Sequence, residues 1–168
     1  MRRLYGVLTV SALSLGLGLA MPHDLAKAAM SGSSNSNTGN SAASTSSSVD
    51  TQYAKAKAMV EKRDYKGAVP VLDQIVAKDS RNADALNLLG YSYRKLGDYQ
   101  KALTYYNKAL AIEPSHLGAN EYLGELYLEM KDVAKAQQRL EVLAKACNKC
   151  EEYEDLEQAI KAFKAKSS

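Results

Sequence analysis

A chain of 168 residues, 46% hydrophobic and carrying 22 Lys and Arg against 19 Asp and Glu, has room for one ordinary domain and excludes a two-lobed enzyme. Near-balanced charge argues against a polybasic nucleic-acid binder, and two cysteines cannot staple a disulfide-rich scaffold. With eleven Tyr, one Phe and no Trp, aromatic packing has to run on tyrosine.

Met1-Arg2-Arg3 gives a positive start, and Leu4 to Ala20 follows as 17 uncharged, mostly apolar residues. That run is slightly short for a transmembrane helix, which needs about 20 apolar residues. Ala26-Lys27-Ala28 supplies the small-x-small pattern of a signal-peptide cleavage site, with Gly18-Leu19-Ala20 as the competing site. The expectation is export, to a periplasm-like compartment, with residues 1–28 removed. Retention of Leu4–Ala20 as an uncleaved anchor is the alternative. Cleavage after Ala28 leaves 19 basic and 18 acidic residues. Residues 31–48 hold nine serines and no charge, and lack large apolar groups to offset ordering entropy. Residues 29–48 therefore read as a disordered, serine-rich linker.

From Val49 the chain repeats every 34 residues. Ala56, Gly90 and Gly124 form one small-residue column, and Ala68, Ala102 and Ala136 another. Asp64, Asp98 and Asp132 recur, as do Met59, Tyr93 and Tyr127, and Leu72, Tyr106 and Leu140. Each period holds two amphipathic helices. Leu86, Leu89, Tyr93 and Leu96 follow helical spacing, Gly97-Asp98 interrupts it, and Ala102 to Leu110 marks a second helix before Pro114. Small columns let paired helices approach closely while larger side chains fill the flanks. Pro70 is expected in the first turn of its helix, where its missing N–H costs nothing.

The pattern L-x-x-L-G-x-x-Y-x-x-L-G-D-Y, followed by A-x-x-x-Y-x-x-A and Pro114, resembles the tetratricopeptide repeat family. The resemblance covers residues 49–82, 83–116 and 117–150, and is most complete in the middle unit. It implies an all-α superhelical stack of three helix-turn-helix units. Tyr153, Leu156, Ile160 and Phe163 then give residues 151–168 the stripe of a single capping helix that closes the stack and faces water.

Cys147-Asn148-Lys149-Cys150 is the one arrangement with reactive potential. In an oxidising compartment a local disulfide is the default reading. A thiol–disulfide carrier would want the motif at a helix N-terminus after a strand, and no strand pattern precedes it. Glu151 stands where haem attachment requires His, and a metal would need further ligands, of which His116 is the only histidine in the repeats. No hydrolase or phosphate-loop motif occurs. No catalytic residue, cofactor or metal site is therefore expected.

Tyr65, Tyr93, Tyr99, Tyr106 and Tyr127 recur at packing columns and read as core. Tyr53, Tyr91 and Tyr122 lie off the apolar stripe. The resemblance implies that first helices line a groove for an extended peptide or partner helix. Mapped here, that groove shows Asp50, Tyr53, Lys57, Asn87, Leu88, Tyr91, Arg94, Lys95, Glu121, Tyr122, Glu125, Leu128 and Glu129. Tyrosine interleaved with separated charge suits protein recognition. The carboxylate clamp by which some family members hold chaperone C-terminal tails maps to Tyr53, Lys57, Leu88, Gly118 and Tyr122, so the clamp is absent. The expectation is a non-enzymatic interaction scaffold with an unnamed protein or peptide partner. A membrane-anchored subunit of an envelope assembly, a thiol carrier and self-association through repeat edges are the alternatives.

Overall fold

The structure, a computed structural model, describes residues 41–167. The expected signal segment, its cleavage after Ala28 and the tether up to residue 40 lie outside these residues. The described residues form α1 (Ser41–Glu61), α2 (Tyr65–Lys78), α3 (Ala83–Lys95), α4 (Tyr99–Ile112), α5 (Leu117–Glu129), α6 (Val133–Cys147) and α7 (Glu151–Ser167). Neighbours pair antiparallel as α1/α2, α3/α4 and α5/α6, each pair packs on the next, and α7 lies across α5 and α6. This is the expected three-unit helical stack with a terminal cap.

The aspartate column sets the turns. Asp64, Asp98 and Asp132 are the N-caps of α2, α4 and α6, and their side chains accept from the backbone N–H of Gly67, Lys101 and Lys135 at 2.9, 3.1 and 3.0 Å. The same aspartates close the preceding helices, because their own N–H groups donate to the carbonyls of Met59, Tyr93 and Tyr127 at 2.9, 2.9 and 2.7 Å. This tight closure requires a left-handed residue just before each aspartate. Gly97 fills that place with φ 83°, whereas Arg63 and Lys131 adopt φ 63° and carry the steric cost of a Cβ there.

Turns between units rest on different caps. Asn82 caps α3 by accepting from Ala85 N–H at 2.9 Å, and His116 Nδ1 caps α5 by accepting from Ala119 N–H at 3.1 Å. Buried Asn120 ties this turn down, donating from Nδ2 to the carbonyls of Pro114 and His116 at 3.0 and 2.9 Å.

Ala68, Ala102 and Ala136 are fully buried where helices of a pair cross. Gly90 is required by packing, since a Cβ there would lie 2.6 Å from the ring of fully buried Tyr106. At Gly124 the obstructing group is Leu156 of α7, 2.5 Å away. The cap thus docks into the same groove that α4 uses one unit earlier. Leu143, Leu128 and Ala136 are covered by Leu156 and Ile160, so α7 closes the last core.

Four expectations need correction. Helix α1 begins at Ser41, inside the span that reads as linker, because Val49 and Tyr53 anchor its middle and propagation through alanine and serine is cheap once a helix is nucleated. Pro70 sits in the second turn of α2, since the Asp64 cap starts that helix at Tyr65; the Lys66 carbonyl it leaves unpaired belongs to an exposed residue. Leu96 is 48% exposed, having become the C-cap of α3 where the stripe turns off the core. Tyr99 is 37% exposed, because at the first position of α4 it projects over the turn toward Glu129.

Candidate partner-binding groove

Helices α1, α3, α5 and α7 present a hollow face that holds two cavities. The first, of about 310 Å³, is bounded by Lys57, Val60 and Arg63 on one side and by Leu88, Tyr91 and Tyr122 on the other, with Tyr65 closing it. Its aromatic wall is continuous. The Tyr65 and Tyr91 rings meet edge-on at 6.0 Å, and the Tyr91 and Tyr122 rings lie 4.8 Å apart. The second, of about 390 Å³, lies between the C-terminal ends of α3 and α5 and the last turns of α7. Leu128, Ala159, Ala162 and Phe163 form its floor, with Lys95, Lys131, Lys166 and Glu129 at the rim.

Arg94 links the two. It is 4% exposed, with Nη2 2.5 Å from Glu125 Oε2 and Nη1 3.2 Å from Glu129 Oε1. Its guanidinium also lies 5.3 Å from the Tyr91 ring centre and 5.8 Å from that of Tyr122. Such a buried, doubly paired and stacked Arg fixes the groove wall. Its charge is already answered by two carboxylates. Lys95, one residue on, is exposed, with Nζ 5.1 Å from the Tyr91 ring centre.

The remaining expected groove residues fall as follows. Tyr53 is half-buried, and burial, then the charge of Asp84, pushes its hydroxyl up to about 12. Burial and then Glu121 do the same to Tyr122, also to about 12. Both phenols therefore stay protonated near neutral pH and serve as hydrogen-bonding aromatic surface. Lys57 and Asp50 are exposed at the α1 edge. Leu88 and Leu128 are nearly covered, offering only their tips. Asn87 is 6% exposed, with Oδ1 unpaired by any described residue. Glu121 is buried too, and burial followed by Glu125, Asp155 and Glu152 pushes its carboxyl from 4.5 up to about 8.

Sequence reasoning missed Val60, Arg63 and Tyr65 in the first cavity, and Ala159, Ala162, Phe163 and Lys166 in the second. Tyr65 recurs in a packing column, which points to the core, yet it closes the first cavity. For α7 the signal was available: Ala159, Ala162 and Phe163 stand 34 residues after Glu125, Leu128 and Glu129, so the period itself brings them to the groove.

Cys147 and Cys150 are joined by a disulfide across the turn from α6 to α7, with Cα atoms 5.6 Å apart. Cys150 directly precedes α7, and its carbonyl accepts from Glu154 N–H at 3.1 Å. A helix start favours a thiolate, but Glu151, Glu152 and Glu154 in this first turn oppose one. Among the described residues, no group of three or more His, Cys, Asp and Glu side chains is placed to hold a metal ion. Nor is any described helix long and apolar enough to cross a membrane.

Residues 83–116 and residues 119–147 each match a tetratricopeptide repeat model. The chain carries tetratricopeptide repeats. Around these repeats it is 31% identical over 98 residues to the uncharacterized protein ycf37 of Pyropia yezoensis, spanning 52% of this chain and 54% of that one. It is 33% identical over 81 residues to the DnaJ protein P58IPK homolog A of Oryza sativa subsp. japonica, covering 48% of this chain but only 16% of the relative. The chain thus spans a small part of such plant relatives. Among solved structures, the type III secretion translocator chaperone SycD of Yersinia enterocolitica, in complex with a peptide of the translocator YopD, superposes with a TM-score of 0.63 at 17% identity, covering 73% of this chain and 96% of that one. At that identity the likeness is one of fold. Tetratricopeptide repeats of this kind are typically non-enzymatic interaction modules.

Proposed function

We propose that the protein is a non-enzymatic interaction scaffold whose repeat groove holds an extended peptide or a partner helix. One observation carries this reading: three successive first helices, with Tyr65 from the start of α2, jointly build a cavity whose wall is Tyr65, Tyr91 and Tyr122, held in place by the buried Arg94 pairings. Preordered aromatic side chains contribute contact area at low entropic cost on binding. A superposable protein solved with a translocator peptide supports a peptide-sized occupant.

The reading includes location. Arg2, Arg3, the apolar run Leu4–Ala20 and Ala26-Lys27-Ala28 support export to the cell envelope, with the repeats acting there as a tethered binding module. A mature N-terminus at Ala29 fits that reading, and a retained Met1 replaces it with a membrane-anchored subunit. The groove is tested with a displayed library of random dodecapeptides selected on the full mature chain. Amide shifts caused by the strongest binder are expected along α1, α3, α5 and α7. Shifts confined to α2, α4 and α6 overturn the groove assignment.

A further inference from the structure

We propose that α7 is a binding element as well as a cap, and that the cavity it shares with α3 and α5 holds one large apolar side chain of an acidic segment. Asp or Glu residues beside that anchor meet Lys95, Lys131 and Lys166. The proposal rests on the groove reading above and names the chemistry of its occupant.

Leu128 from α5 and Ala159, Ala162 and Phe163 from α7 form the floor of this cavity of about 390 Å³. An apolar space of roughly 150 Å³ already admits benzene, so an aromatic or long aliphatic side chain fits with its flanking backbone. The repeat shows where that space comes from. Lys57, Tyr91 and Glu125 are followed in their column by Ala159, and Val60, Arg94 and Leu128 by Ala162. Glu61, Lys95 and Glu129 are followed by Phe163. Two columns that carry larger side chains in every unit thus shrink to alanine on α7, and a third, charged in every unit, becomes aromatic. Closing a stack calls for a polar outer face, yet Ala162 is exposed and Phe163 half-buried on the groove side.

The rim supplies the charge. Both carboxylates lining the cavity are already engaged by Arg94, Glu125 through Nη2 and Glu129 through Nη1. Lys95, Lys131 and Lys166 are exposed, and none of them pairs with a carboxylate among the described residues. The lining therefore sets Arg94 and three lysines against Glu125 and Glu129, an excess of positive charge around an apolar floor. Lys131 stands there at a steric cost. Its φ of 63° lies in the left-handed region that favours glycine, and Gly97 fills the same place one unit earlier. Helix closure would be easier with glycine, so closure does not account for the lysine. Strain kept at the mouth of a cavity is accounted for when the residue acts there. This rim selects an acidic segment over a merely apolar one, since charge complementarity fixes register and rejects wrong partners.

The test uses the random dodecapeptide library, selected on the mature chain. Binders are expected to share an aromatic or long aliphatic residue next to Asp or Glu, and to shift amides in α7 as well as in α3 and α5. Two variants, each with its thermal midpoint measured, separate the parts of the subsite. Ala162→Phe fills the cavity from an exposed position. Replacing the peptide's apolar anchor with alanine should weaken binding about ten-fold on the natural chain and less than about two-fold on this variant. Lys131→Gly removes a rim charge together with the left-handed Cβ. Its thermal midpoint should not fall, yet binding should weaken about three-fold. Adding Lys95→Gln and Lys166→Gln should bring the loss to about ten-fold, and a peptide with Asn or Gln in place of its acids should not register these changes. Binders that leave α7 unshifted, that show no acidic preference, or that bind the lysine variants as tightly as the natural chain overturn the subsite and leave the groove standing. Absence of binders, or binders on α2, α4 and α6, overturns both.

Discussion

A carboxyl that is neutral in the folded chain and ionised in the unfolded one binds a proton only in the native state, so raising the pH weakens the fold. Glu121 has this property between its ordinary 4.5 and about 8. Its contribution is complete below the lower value, declines through the window and is exhausted above the upper one. Capping aspartates act in the opposite sense. Asp98 is lowered first by the Lys101 backbone N–H and Asp132 first by the Lys135 side chain, so they stabilise above the ordinary 3.8 and lose this as pH falls through their lowered values. The thermal midpoint is therefore expected to be highest at about pH 5 and to fall toward about pH 8. In Glu121→Gln that fall should be clearly shallower. Parallel midpoint–pH curves for the two proteins would remove Glu121 as its source.

At the scale of the element, α7 packs across α5 and α6. Its Leu156 fills the space above Gly124 that an aromatic ring fills above Gly90, and it is fully buried there. Leu156→Ala should cost about 2–5 kcal/mol, because the cavity opens between α5 and α7 in the middle of the last core. Replacing Cys147 and Cys150 with serine opens no comparable cavity and frees only a short loop, worth roughly 2 kcal/mol or less. Denaturant midpoints of the two variants should rank in that order, and the reverse order would make the disulfide, not packing, the principal fastening of the cap. Legibility in the sequence follows the same division. Column identity disclosed the helices, the small crossings and the cap stripe, because packing repeats with the period. It did not disclose which column members face outward. Tyr65 and Tyr93 look alike in the pattern, yet one closes a groove cavity and the other packs against the core and stacks at 5.5 Å on Tyr105. Nor did it show that Arg94 is spoken for, since its partners Glu125 and Glu129 lie a whole repeat away. Identity of a side chain is local information, whereas its charge partner is set by how repeats dock.

For the whole molecule, the consequence of stacking is that stability is shared between neighbours and no element touches more than the units beside it. Burial is correspondingly uneven. Helices α3 and α5 each bury most of their length, from Ala85 through Arg94 and from Ala119 through Leu128, while among the described side chains α1 buries fully only Ala56 and α7 only Leu156 and Ile160. Opening a terminal helix breaks one interface, and opening a central one breaks two. Native-state hydrogen exchange should therefore be slowest in α3, α4 and α5 and fastest in the outer half of α1, with α7 between them because the disulfide and Leu156 both hold its start. Exchange equally slow in all helices would mean the stack opens only as one unit, and that the groove is not assembled from separable repeats.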